Sequence, residues 1–206
     1  MKTIKYKILL IVLALLSNSC KEETKKIGNE IQNTTQIIKN AKKVANEANG
    51  MQENIKLLRN KEPLTKEQFE SWLPKTLANM PLTSSMINMI PGMGSCGGTY
   101  HVGNKRIRVM VIDGAGEKGA GGVGPYRMSS KMDYDTEDTW GSTKTVLIDG
   151  VKAKKSYLKS SNSYDLSMFY AERFAVDIKT NEIDEATLEK IIQELNLNEL
   201  KNLGKQ

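Results

Sequence analysis

The chain has 206 residues, with 30 Lys and Arg against 24 Asp and Glu, one histidine and two cysteines. A formal charge of +6 spread among so many acids argues against a nucleic-acid partner, and two cysteines cannot build a disulfide framework. The length suits one domain with a tether and is enough to bury a proper core.

Lys2, Lys5 and Lys7 make a basic start, followed by an apolar run of nine residues, Ile8 to Leu16, and the small polar Ser17-Asn18-Ser19. This is the pattern of a secretory signal, and the run is too short for a membrane span, which needs ~20 apolar residues. Cys20 follows Ser19 directly. The arrangement resembles a bacterial lipoprotein signal, with Ser17 where leucine is usual. The resemblance implies removal of residues 1–19 and acylation of Cys20. Lys21-Glu22-Glu23 resembles the export signal of surface lipoproteins in the Bacteroidota, a lysine and two acids directly after the lipidated cysteine. Together they imply a protein held by lipid in the cell outer membrane and exposed at the surface, with the membrane and an envelope component as partners. Taking 19 residues from 206 leaves 187, and losing three lysines lowers the charge to +3. Cys96 is then the one free thiol. The resemblance ends at residue 23.

Residues 24–60 read as one long helix, the second part of a 20–60 anchor segment. Ile27, Ile31, Thr34, Ile38, Ala41, Ala45, Ala48 and Ile55 follow a 3,4 spacing, and Ile37, Val44, Met51 and Leu58 add a flanking stripe. The alanines would let a partner element approach closely; Asn49-Gly50 is the weak point. The helix either packs on the domain or projects as a stalk. An α+β domain is expected over 61–206. Thr65 and Gln68 form a capping box that starts a second helix at Lys66, stopped by Pro74. Met86, Met89, Ile90 and Met93 have the spacing of a short amphipathic helix.

From Gly97 the period changes to two. Residues 98–113 predict a hairpin turning at Gly103-Asn104, and 143–148 and 151–159 predict two more strands. Asp113 to Pro125, rich in glycine, reads as a loop. Leu166, Met168, Tyr170, Phe174, Val176 and Ile178 form one apolar face, with Ser167, Arg173 and Asp177 opposite; Glu172 marks a bulge or a corner. Asp184 caps a last helix that buries Leu188, Ile191, Ile192 and Leu195. The architecture expected is an antiparallel meander with helices on one face.

Several constellations invite chemistry. Gly114-Ala115-Gly116-Glu117-Lys118-Gly119 matches a dinucleotide fingerprint, but that motif must open a helix, and the glycine-rich continuation speaks against one. Cys96 and His101 are the one thiol and imidazole that would serve a thiol-dependent enzyme, although five residues apart they lack a third, orienting group. Met80, Met86, Met89 and Met93 with Cys96 and His101 would suit copper, while methionine at helical spacing is ordinary core. Asp133, Asp135, Glu137 and Asp138 begin like a calcium loop and then fail, with Asp138 where glycine is required and Lys144 where glutamate is. Lys152, Lys154, Lys155 and Lys159 near Tyr157 and Tyr164 would make a basic patch, but alternation divides them between two faces. No catalytic, cofactor-binding or metal-binding set is therefore assigned. The reading is a membrane-anchored envelope lipoprotein with a non-catalytic binding or scaffolding domain; the alternatives are a thiol enzyme using Cys96 and His101, or a copper-binding protein.

Overall fold

The computed structural model describes residues 34–205. The chain divides into two units, Met1–Ala41 and Lys42–Gln206. In the first, residues 34–41 are helical; in the second, residues 42–46 are helical, the chain turns at Glu47, and helix resumes as α1 (Ala48–Arg59). The unbroken helix expected over 24–60 is thus interrupted, and its residues 24–33 lie outside the described part. The break falls at Glu47 instead of Asn49-Gly50. There the carboxylate reaches Arg127 at 2.6 Å and Lys131 at 3.2 Å. The expected alanine seam is corrected too, because Ala45 and Ala48 are exposed while Leu58 is buried and Val44, Met51 and Ile55 half-buried. The side that is buried is the expected flanking stripe of Val44, Met51 and Leu58, whose larger side chains remove more apolar area from water. From Lys42 onward the helix packs on its own domain.

α2 (Lys66–Trp72) carries the expected capping box between Thr65 and Gln68. After it come β1 (Thr76–Leu77), β2 (Met80–Ile87), β3 (Ser95–Val102) and β4 (Lys105–Asp113). The segment expected as a methionine-spaced helix is not helical: Met86 and Ile87 end β2, Met86 pairing with Gly97, and residues 88–93 run through bends and a turn. Asn88, with φ of 49°, closes the ladder by accepting the Ser95 N–H at 2.9 Å through its side chain.

The glycine-rich stretch is also corrected. It folds as α3 (Gly116–Gly122) and α4 (Gly124–Ser130), with Pro125 in the first turn of α4. Glycine in a helix costs up to ~1 kcal/mol against alanine. Here it allows a close approach: a Cβ on Gly119 would lie 2.3 Å from the Asp113 carbonyl oxygen. Buried Ala120 and Val123 then pack beneath Leu58 with Phe169 and Ala175.

β5 (Asp135–Glu137), β6 (Gly141–Ile148), β7 (Val151–Leu158), β8 (Ser163–Tyr170) and β9 (Phe174–Asn181) follow, then α5 (Glu185–Glu194) and α6 (Leu197–Leu203). The sheet order is β1-β2-β3-β4-β9-β8-β7-β6-β5, antiparallel throughout. The α+β expectation holds. Two meanders meet where β4 pairs with β9, since α3 and α4 carry the chain to the far edge. Glu172 marks a corner, with Ala171 and Glu172 at φ of 52° and 53°. Asp184 caps α5 by accepting the Thr187 N–H. Phe174, Val176 and Ile178 share one cluster with Leu188, Ile191 and Leu195. Helices extend to both faces, because Phe169 and Ala175 alternate with that core and meet α1, α3 and α4 on the other side.

Arg173 does not face solvent as its strand position suggested. It turns inward at the corner onto Asp113, which is wholly buried. Its Nε donates to Asp113 Oδ1 at 2.6 Å and an Nη to Oδ2 at 2.7 Å. The same carboxylate accepts the backbone N–H groups of Leu64 and Ala115. The guanidinium also donates to the carbonyls of Glu62 and Gly204. A buried ion pair survives when all its hydrogen-bonding capacity is met, and this one ties β4, the β8–β9 corner, the approach to α2 and the end of α6 into one knot.

Candidate functional site

Strand alternation sends Leu166, Met168, Val176 and Ile178 to the core and their neighbours to the opposite face. At the end near the β8–β9 corner that opposite face is covered by α1, α3 and α4. Beyond α4 it is open. There Lys154 and Ser156 of β7, Asp165 and Ser167 of β8, and Asp177 and Lys179 of β9 floor a cleft of about 400 Å³. Pro125, Tyr126 and Ser129 of α4 form its wall. Register sets the neighbours directly: Lys154 opposes Ser167, Ser156 opposes Asp165, Asp165 opposes Lys179 and Ser167 opposes Asp177.

The charges differ in how firmly they are held. The Tyr126 hydroxyl donates to Asp177 Oδ2. Burial, then this contact with Asp177, pushes the Tyr126 phenol up, so it remains a donor at neutral pH. Lys179 Nζ lies 3.0 Å from Asp165, whose hydrogen bond raises the ammonium above its usual range. Lys154 sits over the Tyr134 ring, 5.1 Å from its centroid.

A second cleft, about 610 Å³, adjoins the first and shares Lys179 with it. Its lining includes His101, Arg106 and Arg108. His101 opposes Arg106, Arg106 opposes Asn181 and Arg108 opposes Lys179, so the two clefts follow one another across β3, β4, β9, β8 and β7.

The residues singled out in the sequence fall elsewhere or apart. Cys20, Lys21, Glu22 and Glu23 lie outside the described residues. Cys96 points into the core, 1 % exposed, and burial pushes its thiol up to about 12. His101 is exposed on the other side of the same strand, so the two form no thiol–imidazole pair. The methionines separate likewise: Met80 is buried, whereas Met86 and Met89 are 60 % and 65 % exposed, so neither lies on a buried helix face. Asp133 is held by Lys43 and Lys152, while Asp135 and Glu137 lie in β5. Among the described residues no group of three or more His, Cys, Asp or Glu side chains is placed to hold a metal ion. Lys155 pairs with Glu185 on the core side, apart from Lys152 and Lys154.

The glycine fingerprint does open a helix, contrary to expectation, yet its glycines are explained by packing. Gly116 has φ of 78° and Gly119 is pressed on the Asp113 carbonyl. α3 and α4 are seven residues each. The sequence reading missed the cleft because its floor comes from three strands and its wall from a helix read as loop. The alternation of Asp165, Ser167, Asp177 and Lys179 was the available signal.

No family model matches the chain, and no curated protein or solved structure matches it.

Proposed function

We propose that this is a lipid-anchored envelope protein, acylated on Cys20 and carried to the outer face of the outer membrane by Lys21-Glu22-Glu23, whose domain binds a ligand without transforming it. The observation that carries the binding reading is the open stretch of sheet beside α4. A folded domain has no structural need to line a cleft with Lys154, Asp165, Ser167, Asp177 and Lys179 when the other face supplies its core. The separation of Cys96 from His101 supports a role without covalent chemistry. The address rests on the composition and order of residues 1–23.

Labelling growing cells with an alkyne fatty acid tests the anchor. Wild type is expected to take label and Cys20→Ala to lose it and leave the membrane fraction, since acyl chains contribute ~0.8 kcal/mol per buried methylene. Replacing Lys21, Glu22 and Glu23 by alanine is expected to keep the label but remove cleavage by protease added to intact cells. Equal cleavage of both proteins would mean that the triplet is ordinary tether. Cys96→Ser, in the core and away from both clefts, is expected to leave function intact; loss of function at unchanged thermal stability would restore the enzyme reading.

A further inference from the structure

We propose that the two adjoining clefts form one groove for an acidic oligosaccharide. This rests on the reading of the domain as a binding module and deepens it. Arg106 and Arg108 are exposed, and neither they nor Lys154 has a carboxylate partner among the described residues. They share a face with Lys179, the residue common to both clefts. Same-face residues on a strand stand ~7 Å apart and neighbouring strands ~4.8 Å apart, so Arg106, Arg108, Lys179 and Lys154 make a staggered basic line. Such a line fits a long ligand with repeated negative charges better than a single small anion.

Between those cations lie groups that recognise hydroxyls. Ser167 can donate and accept, Ser156 keeps accepting capacity beside its hydroxyl bond with Thr143 at 3.0 Å, and Asp165 and Asp177 accept, each carboxylate keeping capacity beyond its bond to Lys179 or Tyr126. Acceptors on a basic floor would repel a bare polyanion; they suit a chain whose anionic groups alternate with donor hydroxyls. The strand floor from Arg106 to Lys154 carries no Phe, Tyr or Trp on this face, and the two rings beside it are engaged, Tyr126 of the wall with Asp177 and Tyr134 beneath Lys154. A single-stranded nucleic acid would need free rings as stacking platforms, and a protein partner would need a larger apolar centre around the arginines than exposed Met110 supplies. A sugar acid polymer needs neither.

The test is titration of the full-length protein in detergent with short oligogalacturonate, its methyl ester, polyphosphate and a single-stranded DNA of similar charge. Oligogalacturonate is expected to bind, and the neutral ester to bind at least about tenfold more weakly, as loss of charge-assisted hydrogen bonds requires. Arg106→Gln with Arg108→Gln is expected to weaken oligogalacturonate about tenfold or more at an unchanged melting temperature, and Lys154→Gln to act in the same direction. Ser167→Ala is expected to weaken the sugar acid a few-fold and leave polyphosphate unmoved. No binding of oligogalacturonate at low salt, equal affinity for DNA or polyphosphate, or indifference to the arginine replacements would each overturn the proposal. If acylation and surface exposure hold while oligogalacturonate fails, the ligand class falls and the anchored binding protein stands; labelling failure with intact binding separates the two in the other direction.

Discussion

Leu166, Met168, Val176 and Ile178 look onto α5 and α6, while Asp165, Ser167, Asp177 and Lys179, their immediate neighbours in the chain, look onto α4 and solvent. The same two strands thus build a dry core and a wet cleft with a period of two. The difference teaches that the core and the proposed binding surface are written on opposite faces of one ladder. A substitution on one should leave the other nearly untouched unless it moves the strands themselves. The Asp113–Arg173 knot is the exception, since it is polar yet sits where both faces meet the helices.

The strongest way to break this comparison is therefore Arg173→Ala or Asp113→Ala. Either leaves one buried charge without its partner, and a loss of ~3–5 kcal/mol is expected in denaturant unfolding. Both faces should fail together. On the core face alone, Ile191→Ala should cost ~2–5 kcal/mol while oligogalacturonate affinity, extrapolated to folded protein, stays constant. A near-zero loss would mean that α5 is not docked.

Gly119→Ala separates propensity from packing. Helix propensity alone gives a gain of up to ~1 kcal/mol, whereas a methyl pressed on the Asp113 carbonyl should cost ~1–3 kcal/mol. Unfolding midpoints decide the sign. At the open face, Arg106→Gln with Arg108→Gln should change stability by less than about 0.5 kcal/mol, which is what makes the binding loss interpretable.

The smallest effect is electrostatic. Burial pushes the Glu47 carboxyl up, but Lys131 and Arg127 outweigh it and hold it below the usual glutamate range. Hydrogen bonds from Lys152 and Lys43 likewise hold Asp133 below the usual aspartate range. A depressed carboxyl adds stability that is complete above its unfolded pKa and is lost as pH falls through its folded one. Melting temperature should therefore drop below the ordinary carboxylate range, and Glu47→Gln should flatten part of that drop. An identical acid profile in the variant would remove Glu47 from the account.

What could be read from the chain was local. Thr65 with Gln68, Asp184 before α5, and the alternation around Val109 and Val176 each declare themselves within a few residues, and each is found as expected. What escaped reading was non-local. The glycines of α3 look like a loop until the Asp113 carbonyl beneath Gly119 is known. Arg173 looks like an outward strand residue until Asp113, sixty positions away, supplies its partner. Met86 and Met89 share helical spacing, but β3 offered Met86 a ladder to join, and pairing overrode the local pattern. The cleft belongs to the same class, since no short window contains Lys154, Asp165 and Lys179 together.

The joint between β4 and β9 has a kinetic consequence. Val111 pairs with Val176, so the first meander presents β4 as an open edge until nearly the whole chain is present. Non-local pairing of this kind delays folding, because loop closure is opposed by chain entropy before any contact rewards it. The last strand to be made is the central one of the nine. The domain therefore cannot lock sequentially from its first residues, and a chain stopped before β9 keeps an unpaired β4 edge that other chains can join.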